Sequence, residues 1–499
     1  MNKLHKIFFS IILVALASAY CSPVQAGNVD EKTAREVGSY FLAAQFGTKA
    51  INANSIKLVY TIDNAELNVP TIYYFAYPEG GYVMVSGSDC MVPIIGYSED
   101  KFDSAAMNPM MMYMMSGYSC AIAIMQNSKS VASPVIQEEW NKLLEHRLPY
   151  FGSQKLKKTL TKSRWSQEQP YNSMCPLVNG ERSVTGCVAT AMAQVLYYWK
   201  YPLRGKGHLN YYAGVAGNQY VDFSQSVYKY DLMTNDMTNV TNQDAIDAVG
   251  RLNYDCGVSV HMNYSPEGSG AFTESYLPFA LKNYFSYQDG IQVIHRDQGI
   301  FHSNSQTPTD RDTLWADTIR NELRNKRPVI FCGADPGGTT VGVDGGGHAW
   351  VVDGYDTGNP GLFRMNWGWG YVNSECWVNM IVGDLVGSVY HFSQRHEAYL
   401  FVQPPQDTLD ARQGVGGIDD AVNVTLGAAY PNPTTSEIHL PYSLANGGAE
   451  MVIYDMQGRE VMRRSIYGSD SEVVLDVSNY TKGVYVYRVD GITRKFVVK

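Results

Sequence analysis

The most informative segment of this chain spans residues 185–199 and reads Thr185-Gly186-Cys187-Val188-Ala189-Thr190-Ala191-Met192-Ala193-Gln194-Val195-Leu196-Tyr197-Tyr198-Trp199. Its apolar residues recur at positions 188, 192, 195, 196 and 199, which is helical spacing, and Pro202 ends the run. With Thr185 as the candidate N-cap, Cys187 lies in the first turn of the predicted helix. The unpaired amides and the dipole of a helix N-terminus favour a thiolate, so Cys187 is a candidate nucleophile. A cysteine considered alone is more often an inert buried residue, so its neighbours in the fold must decide.

A second segment carries a histidine at the start of a predicted strand. It reads Gly345-Gly346-Gly347-His348-Ala349-Trp350-Val351-Val352-Asp353-Gly354-Tyr355, and a return strand follows at 362–367. A hairpin that turns at 356–360 places His348 and Asn366 directly opposite each other. An imidazole oriented by an amide suits a general base, because its tautomer is fixed and its other nitrogen can take a thiol proton. Trp367, next to Asn366, would shield that contact from water.

A third segment precedes the cysteine and reads Trp165-Ser166-Gln167-Glu168-Gln169-Pro170-Tyr171-Asn172. A side-chain amide together with the backbone N–H of Cys187 would form an oxyanion hole. Gln167 lies 20 residues before Cys187 and is one candidate donor. Gln169 is the other candidate, and spacing alone does not choose between them.

Four motifs in order, over residues of about 165–400, resemble the streptopain family of papain-like cysteine proteases. They are Gln167–Asn172, Thr185–Ala191, Gly346–Ala349 with Val352–Gly354, and Asn366-Trp367-Gly368-Trp369-Gly370. The resemblance implies an α+β, papain-like catalytic domain with a helical half and a β half, at residues 161–402.

The same resemblance implies a role for each matching residue. Cys187 corresponds to the nucleophile, His348 to the base and Gln167 to the oxyanion donor. Asn366 and Trp367 correspond to the residues that orient and cover the histidine. The loop Tyr264–Gly270 lies where the family shapes part of its substrate cleft.

The residues before this domain are expected to be a signal peptide followed by a propeptide. Lys3 and Lys6, the apolar run Ile7–Ala19 and the small residues of Val24–Ala26 are typical of a secretory signal peptide at 1–26. Cys21 raises the alternative of a lipoprotein.

Residues 27–160 are predicted to form an α+β domain. It would have a helix at Glu31–Phe46 and two strands, at Tyr73–Tyr77 and Gly81–Ser86. The stretches 81–87, 95–98 and 102–103 resemble the inhibitory propeptide of the family, which implies a zymogen whose own propeptide acts as an intramolecular inhibitor. The basic stretch 152–164 is either a solvated linker or a site of proteolytic processing.

The last part of the chain is predicted to be a small all-β sandwich at 426–499, after a polar linker at 403–425. Apolar and polar residues alternate in four strands, at 451–454, 473–475, 484–487 and 496–498. Tyr430-Pro431-Asn432-Pro433 and the final Lys495–Lys499 resemble the C-terminal sorting domain of type IX secretion cargo. That resemblance implies contact with the secretion machinery and a location outside the cell or on its surface; the alternative is an adhesive or carbohydrate-binding sandwich.

Composition excludes several classes of protein. The chain has 499 residues, 45% of them hydrophobic and 17% charged, and a net charge of −9, with no strongly basic domain for nucleic acid. No apolar run after the N-terminus is long enough to span a membrane. Seven cysteines follow residue 26, an odd number that leaves at least one thiol free. No C-x-x-C pair is present and His391 and His396 are spaced wrongly for one helical face, so neither a metal nor an organic cofactor is expected.

We therefore predict a secreted cysteine endopeptidase made as a zymogen, which acts on proteins or peptides through an acyl-enzyme intermediate. One alternative is a non-catalytic surface-binding protein on a protease-like scaffold. The other is a cell-wall peptide amidase, which would use the same cysteine and histidine chemistry.

Overall fold

The structure, a computed structural model, describes residues 27–46, 55–105, 107–128, 131–148, 157–296, 308–334, 347–356, 359–370, 375–380, 394–413, 424–427, 429–444, 448–455, 459–467, 471–489 and 492–499. The chain divides into two compact units. The first comprises 1–149, 159–354 and 361–403, and the second comprises 150–158, 355–360 and 404–499. The expected signal peptide, Gly345 and Gly346 of the glycine-rich segment, and part of the expected turn at 356–360 lie outside the described residues.

The N-terminal region, residues 27–148, packs helices on both faces of an antiparallel sheet. The helix predicted at its start is confirmed as α1 (Glu31–Phe46), and the two predicted strands are confirmed as neighbours β2 and β3. The other elements are β1 (Lys57–Asn64), β2 (Val69–Ala76), β3 (Tyr82–Ser86), β4 (Ile94–Ser98), α2 (Pro109–Ser128) and α3 (Pro134–Leu144).

Side chains alternate across this sheet, as the period of a strand requires. One face packs in a cluster with residues of α1 and consists of Tyr73, Phe75, Val83 and Val85. On strand β3 the neighbouring Tyr82 donates its hydroxyl to the sulfur of Met111 on α2, at 3.4 Å. Met111 and Met115 are fully buried, so these methionines of α2 fill the core.

The central region, residues 157–403, has a helical first half and a strand-rich second half, as predicted. Its helices are α4 (Cys187–Trp199), α5 (Gln243–Ser259), α6 (Thr273–Asn283) and α7 (Pro308–Arg324), with short 3₁₀ helices at 214–216, 223–225 and 230–232. Its strands are β5 (Lys157–Thr159), β6 (Leu177–Val178), β7 (Glu181–Arg182), β8 (His208–Tyr212), β9 (Asn218–Asp222), β10 (Gln292–His295), β11 (Val329–Ala334), β12 (Gly347–Asp356), β13 (Leu362–Asn366), β14 (Glu375–Asn379) and β15 (Gln394–Leu400).

One large sheet joins the N-terminal and central regions in the order β1-β2-β3-β4-β14-β13-β12-β11-β15-β10. The junction is the antiparallel pair β4–β14, in which Tyr97 faces Trp377 and Gly96 faces Val378. The rings of Tyr97 and Trp377 stack with their centroids 5.7 Å apart. Gly96 permits the close approach, because a β-carbon there would lie 2.3 Å from the carbonyl oxygen of Trp377.

Cys187 lies in the first turn of helix α4 as predicted, but the cap of the helix is different. The N-cap residue is Gly186, with φ of 86°, and it makes no side-chain cap hydrogen bond. The prediction of Thr185 as the cap is wrong, because the Thr185 hydroxyl is instead 2.8 Å from the hydroxyl of Thr190. A β-carbon on Gly186 would lie 2.6 Å from the sulfur of Met262, so both the backbone angle and the space require glycine.

The C-terminal region has the predicted two-sheet sandwich. One sheet pairs β16 (Val424–Leu426), β17 (Glu437–Leu444) and β20 (Ser471–Asp476), and the other has the order β19 (Glu460–Tyr467), β18 (Gly448–Asp455), β21 (Gly483–Val489), β22 (Ile492–Val498). The buried core between them includes Ile438, Leu440, Ile453, Tyr487 and Phe496. The expected linker at 403–425 is partly helical, because α8 occupies Gln406–Gln413.

Three further observations bear on function. In the described part of the chain, no helix has the length and apolar character needed to cross a membrane. Within the same part, no group of three or more His, Cys, Asp or Glu residues is arranged to hold a metal ion. All seven described cysteines are free thiols, namely Cys90, Cys120, Cys175, Cys187, Cys256, Cys332 and Cys376.

Candidate active site

Cys187 lies at the N-terminus of α4, against the start of strand β12. Its side chain is buried, and the backbone amides of Ala349 and Val188 face the sulfur. Burial nevertheless raises the pKa of the thiol to about 11, and the amides oppose this rise only in part. The helix N-terminus was expected to favour a thiolate, but in the full-length chain the buried site favours the thiol.

His348 is the second residue of β12, and it is adjacent to Ala349, whose amide faces the cysteine. Its Nε2 lies 2.8 Å from the backbone carbonyl oxygen of Trp367. A carbonyl can only accept, so Nε2 carries the proton in the neutral ring and Nδ1 is the basic nitrogen. Burial lowers the pKa of His348 to about 4, although the Trp367 carbonyl raises it in part. The imidazole is therefore neutral here, with a fixed tautomer.

Asn366 ends strand β13, the neighbour of β12 in the sheet, but its amide is used differently from the prediction. Its Nδ2 donates to the carbonyl of Ser163 at 2.7 Å and to Oε1 of Gln194 at 2.9 Å. Its Oδ1 accepts from the backbone N–H of Gly368 at 3.2 Å. The carbonyl of Trp367, and not the side chain of Asn366, thus holds the imidazole in this structure.

Trp367 is fully buried beside the histidine, with its ring centroid 6.3 Å from that of His348. Its indole N–H donates to the sulfur of Cys376 at 3.3 Å, which fixes the ring. Two further indoles, of Trp350 and Trp369, lie 6.1 Å and 5.8 Å from the imidazole. Only Trp369 of the three is exposed to solvent, so the indoles together exclude water from the base.

The two candidate oxyanion donors differ in their surroundings. Gln167 is half-buried, and its backbone carbonyl accepts a hydrogen bond from the N–H of Thr185 at 3.0 Å, two residues before Cys187. Gln169 is exposed. The loop expected to shape the cleft packs on the same segment, since Val184 donates to the carbonyl of Ser265 at 3.2 Å. The backbone of Gln167 is thus joined to the segment that leads into Cys187.

Sequence reasoning did not single out Ser163 or Gln194, which complete the polar surroundings of Asn366. Both are buried, and the hydroxyl of Ser163 donates to Oε1 of Gln194 at 2.8 Å. The sequence could have pointed to Gln194, because it shares one face of the predicted helix with Cys187 and Thr190, at the spacing i, i+3, i+7.

Comparison with known proteins assigns three family models to the chain. Residues 165–375 match the Peptidase C10 family, residues 26–122 match the Spi protease inhibitor, and residues 428–499 match the secretion system C-terminal sorting domain.

Individual relatives agree with these models. The chain is 28% identical over 387 residues to the thiol protease/hemagglutinin PrtT of Porphyromonas gingivalis, covering 75% of this chain but only 41% of that longer protein. It is 29% identical over 371 residues to streptopain of Streptococcus pyogenes serotype M1, covering 69% of this chain and 83% of streptopain. The structure of prointerpain A from Prevotella intermedia matches with a TM-score of 0.54 and 26% identity, over 70% of this chain and 99% of that one.

Proposed function

The chain belongs to the Peptidase C10 family of streptopain-like cysteine proteases, and we propose on that premise that Cys187 and His348 are its catalytic pair. It is a cysteine peptidase with an inhibitor-type propeptide domain and a sorting domain that directs it to the cell surface or beyond. The single observation that carries the assignment is the position of Cys187 against the amide of Ala349, the residue next to His348. We call residues 161–402 the catalytic domain and residues 27–148 the propeptide region.

The proposed reaction begins with transfer of the Cys187 proton to Nδ1 of His348. The thiolate attacks the scissile carbonyl carbon, and the oxyanion accepts hydrogen bonds from the Cys187 N–H and the Gln167 side-chain amide. The imidazolium returns its proton to the leaving amine as the C–N bond breaks, which leaves a thioester on Cys187. His348 then takes a proton from water as the water oxygen attacks the thioester carbonyl. The C–S bond breaks, the imidazolium returns the proton to the Cys187 sulfur, and the carboxylic acid is released.

Trp367 serves this reaction through its backbone. Its carbonyl accepts the Nε2–H of His348 before and after proton transfer, and it stabilises the imidazolium when that cation forms. Asn366 supports the same turn and makes no bond to the reacting atoms in this arrangement. Replacement of Asn366 by Ala is therefore expected to reduce activity less than replacement of His348.

The propeptide region is proposed to act as an intramolecular inhibitor. It adds strand β4 to the edge of the catalytic sheet at β14, and the hydroxyl of Tyr118 donates to the carbonyl of Asn379 at 2.9 Å. Strand β14 also carries Cys376, which holds the Trp367 indole. In this form the catalytic pair is a neutral thiol and a neutral imidazole, as expected of a latent enzyme.

Proteins or peptides are the proposed substrates. A cell-wall peptide amidase would use the same cysteine and histidine, so a panel of protein, peptide and cell-wall substrates is needed to separate the two. A non-catalytic binding scaffold would not need a histidine of fixed tautomer beside a buried thiol.

Intact-mass spectrometry with an epoxide inhibitor of cysteine proteases tests the catalytic pair. One adduct is expected on a species trimmed near residue 160, and none on the Cys187→Ala variant. Trimming removes Cys90 and Cys120, the two described thiols that are not buried, so a single adduct cannot come from either. A trimmed species that stays unlabelled, or peptidase activity in Cys187→Ala, would overturn the assignment.

A further inference from the structure

We propose that Gln194 is a positioning residue for His348. Its side chain binds that of Asn366 through two hydrogen bonds, which we call the clamp. The clamp fixes the turn that contains Trp367, whose carbonyl holds the imidazole. The inference rests on the proposed catalytic pair and adds a residue to it. Gln194 touches neither the substrate nor the reacting atoms.

The clamp is a two-way hydrogen bond between buried amides. Gln194 donates through Nε2 to Oδ1 of Asn366 at 3.2 Å and accepts through Oε1 from Nδ2 of Asn366 at 2.9 Å. Neither side chain is accessible to water, so no solvent molecule substitutes for a lost partner without rearrangement. The pair therefore has one preferred geometry.

The first residues of the catalytic domain complete the clamp. Ser163 supplies its hydroxyl to Oε1 of Gln194 and its carbonyl to Nδ2 of Asn366. Thr161, two residues earlier, donates its hydroxyl to the carboxylate of Asp353, and Arg364 bonds the same carboxylate at 2.7 Å. Residues 161–163 are thus held by Asp353 at one end and by Gln194 at the other. We therefore expect them to stay in place if Asn366 is displaced.

The clamp reaches the histidine through one tight turn. Oδ1 of Asn366, which accepts from Gln194, also accepts from the N–H of Gly368. This bond closes the turn around Trp367, the residue between them, and so sets the direction of its carbonyl toward His348. Gly368 has φ of 68°, and a β-carbon there would lie 3.0 Å from Thr190 of α4, so the turn rests on the helix.

Helix α4 thereby fixes both members of the catalytic pair. Cys187, Thr190 and Gln194 lie on one helical face, and seven residues advance about 10 Å along a helix. The first of these residues presents the thiol, and the other two support the turn that holds the base. Because the helix is a rigid body, the nucleophile and the support of the turn that holds the base keep their relative positions.

The test compares Gln194→Met with Asn253→Leu in the trimmed enzyme. Methionine keeps the length and volume of glutamine but has no amide to bind Asn366. Asn253 is an equally buried amide on the neighbouring helix α5, where it donates to the carbonyl of Val249 in its own helix at 2.9 Å. Both variants lose a buried amide, but only the first loses the clamp.

Rates are normalised to the concentration of thiol that an epoxide inhibitor titrates, so that unfolded protein does not lower the apparent kcat. We expect kcat of Gln194→Met to fall about 100-fold while KM stays within about twofold, as misplacement of a catalytic group by 1 Å predicts. The acidic limb of the kcat/KM profile should also move to lower pH, because His348 must be neutral to take the thiol proton and a displaced carbonyl no longer stabilises its imidazolium. Asn253→Leu should keep the wild-type kcat and the wild-type limbs.

Two results would overturn the inference while leaving the catalytic assignment intact. One is a normalised kcat of Gln194→Met equal to that of Asn253→Leu. The other is a fall in kcat with unchanged pH limbs, which would mean that Gln194 only stabilises the fold. If the wild-type trimmed enzyme itself fails to react with the epoxide, the proposed catalytic pair fails instead.

Discussion

Replacing Gly96 by alanine should loosen the docking of the propeptide region on the catalytic domain. Gly96 lies on β4, opposite Val378 of β14, where the two regions share one sheet. A β-carbon at this position would lie 2.3 Å from the carbonyl oxygen of Trp377 and 2.7 Å from the methyl carbon of Met84. The methionine can rotate away, but the carbonyl belongs to a strand and moves only with it.

The size of the effect follows from this distance. Carbon and oxygen need about 3.3 Å, so the strands must separate by about 1 Å. That separation weakens the hydrogen bonds at the two paired positions, each with a net value of about 1 kcal/mol, and residual overpacking adds about 1–2 kcal/mol. Docking should therefore weaken by about 3 kcal/mol, which corresponds to about 100-fold in the docking equilibrium.

The assay follows the reaction of Cys187 with an epoxide inhibitor in the uncleaved chain, by mass spectrometry of the peptide that contains Cys187, at short times. If the inhibitor reaches the thiol only when the propeptide region opens, the labelling rate follows the open fraction. Gly96→Ala should then label about 100-fold faster than the wild type.

Gly80→Ala serves as the matched control. Gly80 lies in the turn before β3 with φ of 132°, and a β-carbon there has only the carbonyl oxygen of Glu99 nearby, at 3.9 Å. This variant strains the propeptide region by about 1–2 kcal/mol without touching β14. An unchanged rate in Gly96→Ala would refute the role of the strand junction. Equal acceleration in both variants would show that unfolding of the propeptide region, and not separation of β4 from β14, exposes the thiol.

Three further predictions concern the catalytic domain. In the uncleaved chain, alkylation of Cys187 by iodoacetamide should rise about tenfold per pH unit up to pH about 10, because burial raises the pKa of this thiol to about 11 and only the thiolate reacts. Peptide mass spectrometry measures this rate, and a flat profile would contradict it. Gly186→Ala should lower the free energy of unfolding by about 2–4 kcal/mol, because its φ of 86° disfavours alanine and its new β-carbon would meet the backbone carbonyl oxygen of Ser269 at 2.9 Å as well as the side chain of Met262. Urea denaturation measures the change, and a loss below about 1 kcal/mol would contradict the expected clash. Removal of residues up to Ser163 should abolish peptidase activity, whereas a start at residue 157 should preserve it, because Thr161 and Ser163 belong to the polar network around Asn366. Equal kcat/KM for the two truncated enzymes would contradict that role.

Local patterns were sufficient to predict the elements that carry the site. The helical spacing after Cys187 predicted α4 with Cys187 in its first turn, and the strand that carries His348 was recognised from its apolar run. The alternation of the last residues predicted the sandwich. These predictions succeeded because helix and strand periods depend on neighbours within a few positions.

The predictions that differed from the structure depended on partners distant in the sequence. Thr185 has the chemistry of an N-cap, but the hydroxyl of Thr190 and the close approach of Met262 leave the cap to Gly186. Asn366 has the chemistry to orient an imidazole, but Gln194 from another element takes its amide. No local spacing indicates which of two possible partners a buried amide will meet.

Residue types and their order along the chain were enough to predict the class of chemistry, the order of domains and five candidates for the site, namely Gln167, Cys187, His348, Asn366 and Trp367. The hydrogen bonds between these groups and their charge states depend on the tertiary structure. It placed the Trp367 carbonyl on Nε2 of His348, and it buried Cys187 so that its pKa rises to about 11. The physical reason is that hydrogen-bond partners and desolvation are sums over groups from several distant segments, whereas residue types and periods are written along the chain.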